Sequence, residues 1–353
     1  MLKRLIFAIW LLFPVAAQAQ ESSFLYTVLD TVASHHITPI DIKTFLVEGL
    51  KESLNEADKN LVLGDGKDMV YLYYKGKQIG LWHKPQDEND IKKWAEIGSE
   101  IIAKAAKTPS LVGDKGNILP EKTLYYAVDK LNDHSHYYFG NEALINRGEN
   151  LFTARTEDET AYIKIKGFSS STAEQLKQTL QKNSDIKALI IDLRGNPGGM
   201  FAEAIEVAKI FIDEGIIVAA KGKKDESTKY YVANNPNTFN KDIAVLIDKD
   251  TASSAEALAA ALKEQVSAKL IGTQSFGKGS IQDVYVFDNS SRLVLTTGEF
   301  FTPSGAKIEK VGLIPDYCII SNKDKTDTPC PPQSREDESF DIDFAKKILL
   351  SQP

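Results

Sequence analysis

The chain has 353 residues, 42% of them hydrophobic and 26% charged, enough apolar material for two folded domains and too much for a disordered chain. Its formal net charge is −7, and no basic cluster interrupts the acidic balance, which argues against a nucleic acid as partner.

The N-terminus reads as a targeting segment. Lys3 and Arg4 precede an apolar run from Leu5 to Val15, and Ala17-Gln18-Ala19 is a small-x-small cleavage site. This predicts a signal peptide over residues 1–19 and a periplasmic or secreted protein. The run is too short to span a bilayer and no later segment is long enough, so no membrane span is expected in the mature chain. Losing Lys3 and Arg4 with the leader takes the net charge from −7 to −9. Cys318 and Cys330 are the only cysteines. In an oxidising compartment they form a candidate disulfide, worth about 3 kcal/mol for so short a loop.

Residues 20–150 read as a mainly helical region with a β-hairpin. Thr38-Pro39 has the form of a helix N-cap followed by proline, and Ile42, Phe45, Leu46, Gly49 and Leu50 keep a helical period. Residues 69–74 and 78–82 flank Lys75-Gly76-Lys77 as a hairpin. Ile91, Trp94, Ile97, Ile101 and Ala105 share one helical face, residues 108–119 form a linker, and Pro120 opens another helix. The histidines of His35-His36 and His134-Ser135-His136 lack the spacing and third ligand that zinc requires, so neither a metal nor another cofactor is expected.

Residues 151–320 change texture to alternating strands and helices. Residues 161–166 are a short strand, 171–181 an amphipathic helix, and 188–193 (ALIIDL) a buried-strand run closed by Arg194-Gly195-Asn196-Pro197-Gly198-Gly199. Phe201, Ile205, Ala208 and Ile212 mark a helix, and residues 243–248 (IAVLID) are a second buried strand. Residues 281–287 and 293–301 pair around a polar turn. This repetition predicts an α/β layered core of mostly parallel strands with its site at their carboxyl ends. Residues 321–353 read as a C-terminal loop and a short helix.

Chemistry concentrates between Thr251 and Gln282. Ser253 and Ser254 open a helix, where unpaired backbone N–H groups favour developing negative charge. A serine there is ordinarily a cap. However, Lys278 follows 25 residues later between Gly277 and Gly279, glycines that let the backbone turn and deliver an amine inward. Burial would make that amine a base by lowering its pKa, with Phe276 as a wall. Gln282 falls two alternations further on the same strand face, where it can hold the amine by hydrogen bonding. The pattern thus proposes Ser253 as nucleophile, Lys278 as general base and Gln282 as its partner. Backbone N–H groups of Gly198 or Gly199, with that of Ser254, are candidate oxyanion donors. Residues 272–278 also match the start of a phosphate-binding loop, but Gly279 replaces the metal-binding hydroxyl and a strand follows instead of a helix, which excludes nucleotide binding.

These stretches together resemble the carboxyl-terminal processing peptidases, or tail-specific proteases. The likeness rests on DLRGNPGG (192–199), TASSAE (251–256), FGKGSIQ (276–282), TTGEFFTPSG (296–305) and GLIPD (312–316), with LNDHSHY (131–137) similar to a short motif after the N-terminal helices. It implies a crotonase-like (ClpP/crotonase) core and a Ser–Lys dyad hydrolysing peptide bonds in extended protein or peptide substrates. It also favours Ser253 over Ser254 by the family's serine-to-lysine spacing. The family often inserts a PDZ domain after the short motif. Here about 20 residues separate Tyr138 from Ala161, too few for the roughly 50 of a domain, so a PDZ-less member is expected. The alternative is a binding protein on the same core that does no chemistry.

Overall fold

The computed structural model describes residues 23–112, 114–131, 134–140, 151–157, 159–223, 228–234, 239–320, 323–325, 330–331 and 338–350. The expected signal peptide lies outside them. Among the described residues, no helix is long and apolar enough to cross a membrane. The chain divides into two compact units, one comprising residues 1–144 and 282–297, the other 145–281 and 298–353.

The first unit contains helices α1 (23–35) and α2 (Ile42–Ala57), strands β1 (Leu61–Asp65), β2 (Met69–Tyr74) and β3 (Lys77–His83), and helices α3 (Ile91–Ala105), α4 (Asp114–Asn117) and α5 (Leu119–Asp129). The short strand β4 (His136–Tyr138) follows. The expected N-cap at Thr38 is not used. Asp41 caps α2 instead, accepting the Thr44 N–H at 3.2 Å and its hydroxyl at 2.7 Å, while the Thr38 hydroxyl is engaged with His36 Nδ1. Helices α2 and α5 lie so close that a Cβ on Gly49 would stand 2.3 Å from the Thr123 carbonyl oxygen. The Ser53 and Thr123 hydroxyls meet at 2.9 Å in the same contact. Strand β1, not foreseen, pairs antiparallel with β2, with Leu63 opposite Leu72, so the hairpin is a three-stranded sheet.

The second unit is built on a seven-stranded sheet in the order β15-β14-β11-β10-β7-β6-β5. Its strands are β5 (Phe152–Glu157), β6 (Thr160–Ile165), β7 (Ala188–Asp192), β10 (Asp242–Ile247), β11 (Lys269–Gly272), β14 (Tyr317–Ile320) and β15 (Lys323–Lys325). The five central strands are parallel and only the two edge pairs are antiparallel. Alternation along the apolar runs explains why they read as continuous: Leu189, Ile191 and Val245 face one core, Ile190, Ala244 and Leu246 the other. The first core is completed by α6 (Thr172–Lys182), α7 (Phe201–Ala208) and α8 (Ser254–Val266), the second by α9 (Glu338–Leu350) through Ile342, Ala345 and Leu349. The fold is α/β, as expected. Two strands that the sequence reading passed over, β8 (Glu214–Gly222) and β9 (Lys229–Asn234), form an antiparallel pair. Helix α7 ends four residues before Ile212, which is buried beyond it. Cys318, on β14, is disulfide-bonded to Cys330.

Strands β12 (Ser280–Val286) and β13 (Arg292–Phe301) form the expected hairpin, but its tip, residues 282–297, belongs to the first unit. The reason is apolar. Leu293 and Leu295 are fully buried in the N-terminal core, and Tyr285 and Phe287 pack against it. Continuity of sequence had assigned all of 151–320 to one domain and the final helix to a tail. Burial assigns the hairpin tip to the N-terminal unit and α9 to the core sheet.

Candidate active site

Three loops leave the carboxyl ends of the adjacent parallel strands β7, β10 and β11. Side-chain and backbone hydrogen bonds tie them together. The Thr251 hydroxyl donates to the Leu193 carbonyl at 2.8 Å, and the Gly195 N–H donates to Asp248 Oδ1 at 2.9 Å. The Ala252 N–H reaches the Asn196 carbonyl at 2.9 Å, and the Phe276 N–H reaches that of Thr251 at 3.0 Å. Asn196 is fully buried and holds β6 as well, its Nδ2 donating to the Ile165 carbonyl at 2.8 Å. Behind this loop, Arg194 is buried between Asp192 and Asp341, at 2.7 Å from each. The guanidinium holds the Asp192 carboxyl below its usual value against the opposing effect of burial.

Ser253 stands immediately before α8 with φ 57° and ψ −121°, an unfavourable backbone for a residue with a side chain. Such strain costs of order 1–3 kcal/mol and persists only where surrounding contacts impose it. Here the Ser253 N–H is held by Glu256 Oε2 at 2.9 Å, and its carbonyl accepts the Ala257 N–H at 3.0 Å. Ser253 and Glu256 together form a capping box at the head of α8, so the serine stands at the place of an ordinary cap as well as on an unfavourable backbone.

The glycine loop is pressed against this turn. A Cβ on Gly198, whose φ is 103°, would stand 3.0 Å from Ser253 Cβ and 3.2 Å from Ser254 N. Gly198 is buried and its own N–H donates to Asn196 Oδ1 at 2.8 Å. Gly199 is exposed, and among the described residues no acceptor takes its N–H. Its carbonyl instead accepts the Ser254 hydroxyl at 3.1 Å. Of the two glycines proposed as oxyanion donors, Gly199 therefore has the available group.

Lys278 is half-buried, and burial pushes its amine below the usual lysine value, with Glu309 partly opposing. Phe276 is not its wall, being 58% exposed. No hydrogen bond joins Ser253 Oγ to Lys278 Nζ among the described residues. Strand β12 begins only at Ser280, so the alternation that placed Gln282 on the lysine's face does not extend back to Lys278. Gln282 is partly buried and its Nε2 donates to the Thr296 hydroxyl. The loop from β11 runs into this strand rather than a helix, which removes the helix N-terminus a phosphate loop needs.

The residue missed in the sequence is Glu256. It is fully buried and its carboxylate accepts four donors: the Ser275 hydroxyl at 2.5 Å and Gly277 N–H at 2.7 Å on Oε1, the Lys278 N–H at 2.8 Å and Ser253 N–H at 2.9 Å on Oε2. Burial raises its pKa above the usual carboxyl value despite those donors. A signal was present, since Ser253 and Glu256 have capping-box spacing. That spacing announces a cap, not a carboxylate that also holds the lysine loop.

Comparison with known proteins adds a family match, two relatives and two solved structures. Residues 159–319 match the model of peptidase family S41. The chain is 35% identical over 172 residues to a carboxy-terminal-processing protease of Bartonella bacilliformis, covering 47% of this chain and 40% of the relative. It is 31% identical over 210 residues to the carboxy-terminal processing protease CtpA of Bacillus subtilis, covering 57% and 44%. The chain thus spans less than half the length of these curated relatives. Among solved structures, a lipoprotein from Streptococcus agalactiae is similar in fold, with a TM-score of 0.51 over 89% of this chain and 98% of that one at 17% identity. A photosystem II D1 C-terminal processing protease is 32% identical over 44% of this chain and 41% of its own, with a TM-score of 0.39.

Proposed function

We propose that this chain, whose residues 159–319 match peptidase family S41 and which is similar to carboxy-terminal processing proteases, is an exported serine endopeptidase acting on extended protein or peptide substrates. The observation that carries the proposal is the shared hold of Glu256 on the Ser253 turn and the Lys278 loop. It ties the backbone of the Ser253 turn to that of the Lys278 loop.

In this reading Lys278 Nζ, neutral because burial disfavours its charge, takes the proton of Ser253 Oγ as that oxygen bonds to the substrate carbonyl carbon. The new oxyanion receives the N–H groups of Gly199 and Ser254 at the start of α8, where the helix dipole favours negative charge. Collapse breaks the C–N bond, and the ammonium of Lys278 returns the proton to the leaving amine. Water then attacks the acyl-serine, losing its proton to Lys278, and restores the alcohol. Gln282 is retained as the lysine's partner on the family resemblance. The parallel strands with helices on both faces are consistent with a crotonase-like core. The charged, then apolar segment of residues 1–19 is the feature that supports export.

The test uses the purified chain and an unfolded protein substrate. Ser253→Ala and Lys278→Ala should each reduce cleavage by at least about three orders of magnitude while the melting temperature shows the fold retained. Cleavage by either variant at the parent rate rejects the dyad. Absence of both cleavage and a covalent adduct with a serine-directed acylating probe in the parent favours the binding-protein reading.

A further inference from the structure

We infer that Asn196 is a positioning residue that fixes the peptide between Gly198 and Gly199, so that Gly199 offers its N–H to the oxyanion and Gly198 does not. This rests on the reading of Ser253 as nucleophile and names a residue which that reading left without a role. The residues involved all lie within the second unit. Gly198 and Gly199 have φ of 103° and 132°, backbones that glycine adopts freely and that no side chain of their own holds in place. Contacts from other residues must hold them instead. Asn196 is fully buried and both ends of its amide are engaged. Nδ2 donates to the Ile165 carbonyl at 2.8 Å, and Oδ1 accepts the Gly198 N–H at 2.8 Å. Its backbone is held as well, the N–H donating to the Leu193 carbonyl at 3.1 Å and the carbonyl accepting the Ala252 N–H at 2.9 Å.

The consequence follows from peptide geometry. The Gly198 carbonyl accepts the N–H of Phe168, just beyond Ile165 in the chain, at 3.0 Å. A trans peptide is planar, with its C=O and N–H on opposite edges. The Gly199 N–H therefore points away from Phe168, and no acceptor takes it among the described residues. The Ser254 hydroxyl, on the Gly199 carbonyl at 3.1 Å, keeps that glycine at the head of α8 beside Ser253. Asn196 closes the other side of the turn, because its amide oxygen takes the Gly198 N–H out of competition. Without that acceptor a buried N–H is left unpaired, and rotation of the glycine peptides toward another oxygen becomes favourable. An asparagine meets both demands at once, a donor for Ile165 and an acceptor for Gly198. An ionised aspartate keeps only the acceptor, and alanine has neither.

The test uses an unfolded protein substrate and a peptide boronate, whose adduct with a serine hydroxyl places an oxygen where the oxyanion forms. Asn196→Ala should lower kcat about a hundredfold, the loss that follows removal of one oxyanion donor, with KM within about threefold. Affinity for the boronate should fall in parallel, since it reports the transition state. Asn196→Asp, which keeps the acceptor for Gly198, should recover at least about tenfold of the kcat loss. Equal kcat in the two variants overturns the inference. So does a lowered melting temperature with kcat and boronate affinity unchanged. A second measurement needs no variant: the crystal structure of the parent with the boronate bound. The adduct oxygen should lie about 3 Å from the Gly199 nitrogen, with Asn196 Oδ1 still on Gly198. An oxygen on the Gly198 nitrogen, with Asn196 released, overturns the positioning role and leaves Ser253 as nucleophile. A parent that cleaves no substrate and forms no adduct at Ser253 removes the nucleophile and the inference with it.

Discussion

The backbone N–H groups of Ser253 and Lys278, 25 residues apart in the chain, donate to one atom, Oε2 of Glu256, at 2.9 and 2.8 Å. A single buried oxygen thereby ties the backbone of the Ser253 turn to that of the Lys278 loop. The other carboxylate oxygen holds Ser275 and Gly277, so the whole loop from β11 is registered against the head of α8.

Replacement of Glu256 by glutamine tests that registration. Both carboxylate oxygens accept two donors each, so either orientation of the amide turns its NH2 against two N–H or O–H groups. Glu256→Gln should lower stability by about 1–3 kcal/mol for the donors left unmatched. It should also lower kcat by about a hundredfold or more, because a misplacement of 1 Å at a site has that effect. Urea unfolding and steady-state kinetics check it. An active variant of parent stability would show that the shared acceptor does not set the site.

The pH dependence follows from two shifts of opposite sense. The proposed role of Lys278 as base requires its neutral amine, and burial depresses its pKa, so on that proposal kcat/KM should rise with pH through a single ionisation centred below 10.5. For stability, the folded state binds fewer protons than the unfolded between the depressed value and 10.5, so this group makes stability rise with pH across that window. Glu256 does the reverse. Its pKa is raised above 4.5, so the folded state binds more protons between 4.5 and that value and its contribution falls as pH rises there. Melting temperature against pH for the parent, Lys278→Met and Glu256→Gln separates the two contributions. A parent rate profile with no ionisation below 10.5 would oppose the base assignment.

Gly198 offers a steric test distinct from any hydrogen bond. Its N–H is already satisfied by Asn196, so Gly198→Ala removes no oxyanion donor. The new methyl group would nevertheless stand 3.0 Å from Ser253 Cβ on a backbone of φ 103°. Activity should fall by about two orders of magnitude, with a stability cost of about 1–3 kcal/mol. Acylation of Ser253 by a small serine-directed probe should slow in parallel with peptide cleavage. Parent-like kinetics in this variant would mean that the loop can retreat from the serine without consequence.

The elements legible in the sequence are those whose pattern is local. Residues 188–193 and 243–248 announce buried parallel strands because alternate residues of each face two apolar cores. Ile91, Trp94, Ile97 and Ile101 announce α3 because one face of that helix is buried. Strands β5 and β9 carry mostly exposed or half-exposed side chains, and β1 ends in glycine and aspartate, so none shows a clear apolar rhythm. The hairpin of residues 280–301 was visible, but its division between units was not, because burial of Leu293 and Leu295 depends on helices more than 150 residues away.

What the sequence by itself determined is which reactive groups the molecule carries: a serine at a helix mouth, a lysine between glycines, a glycine turn after a buried strand. Residue type and near-neighbour spacing suffice for that. The tertiary structure alone decided which hydrogen bonds those groups spend. Gly198 gives its N–H to Asn196 and leaves that of Gly199 without an acceptor among the described residues. Glu256 proves to be a buried hub as well as a capping-box partner, and Phe276 is largely exposed to solvent. The reason is that a donor's availability and a charge's desolvation are set by atoms brought close from distant parts of the chain, and neither is a property of the residues on either side.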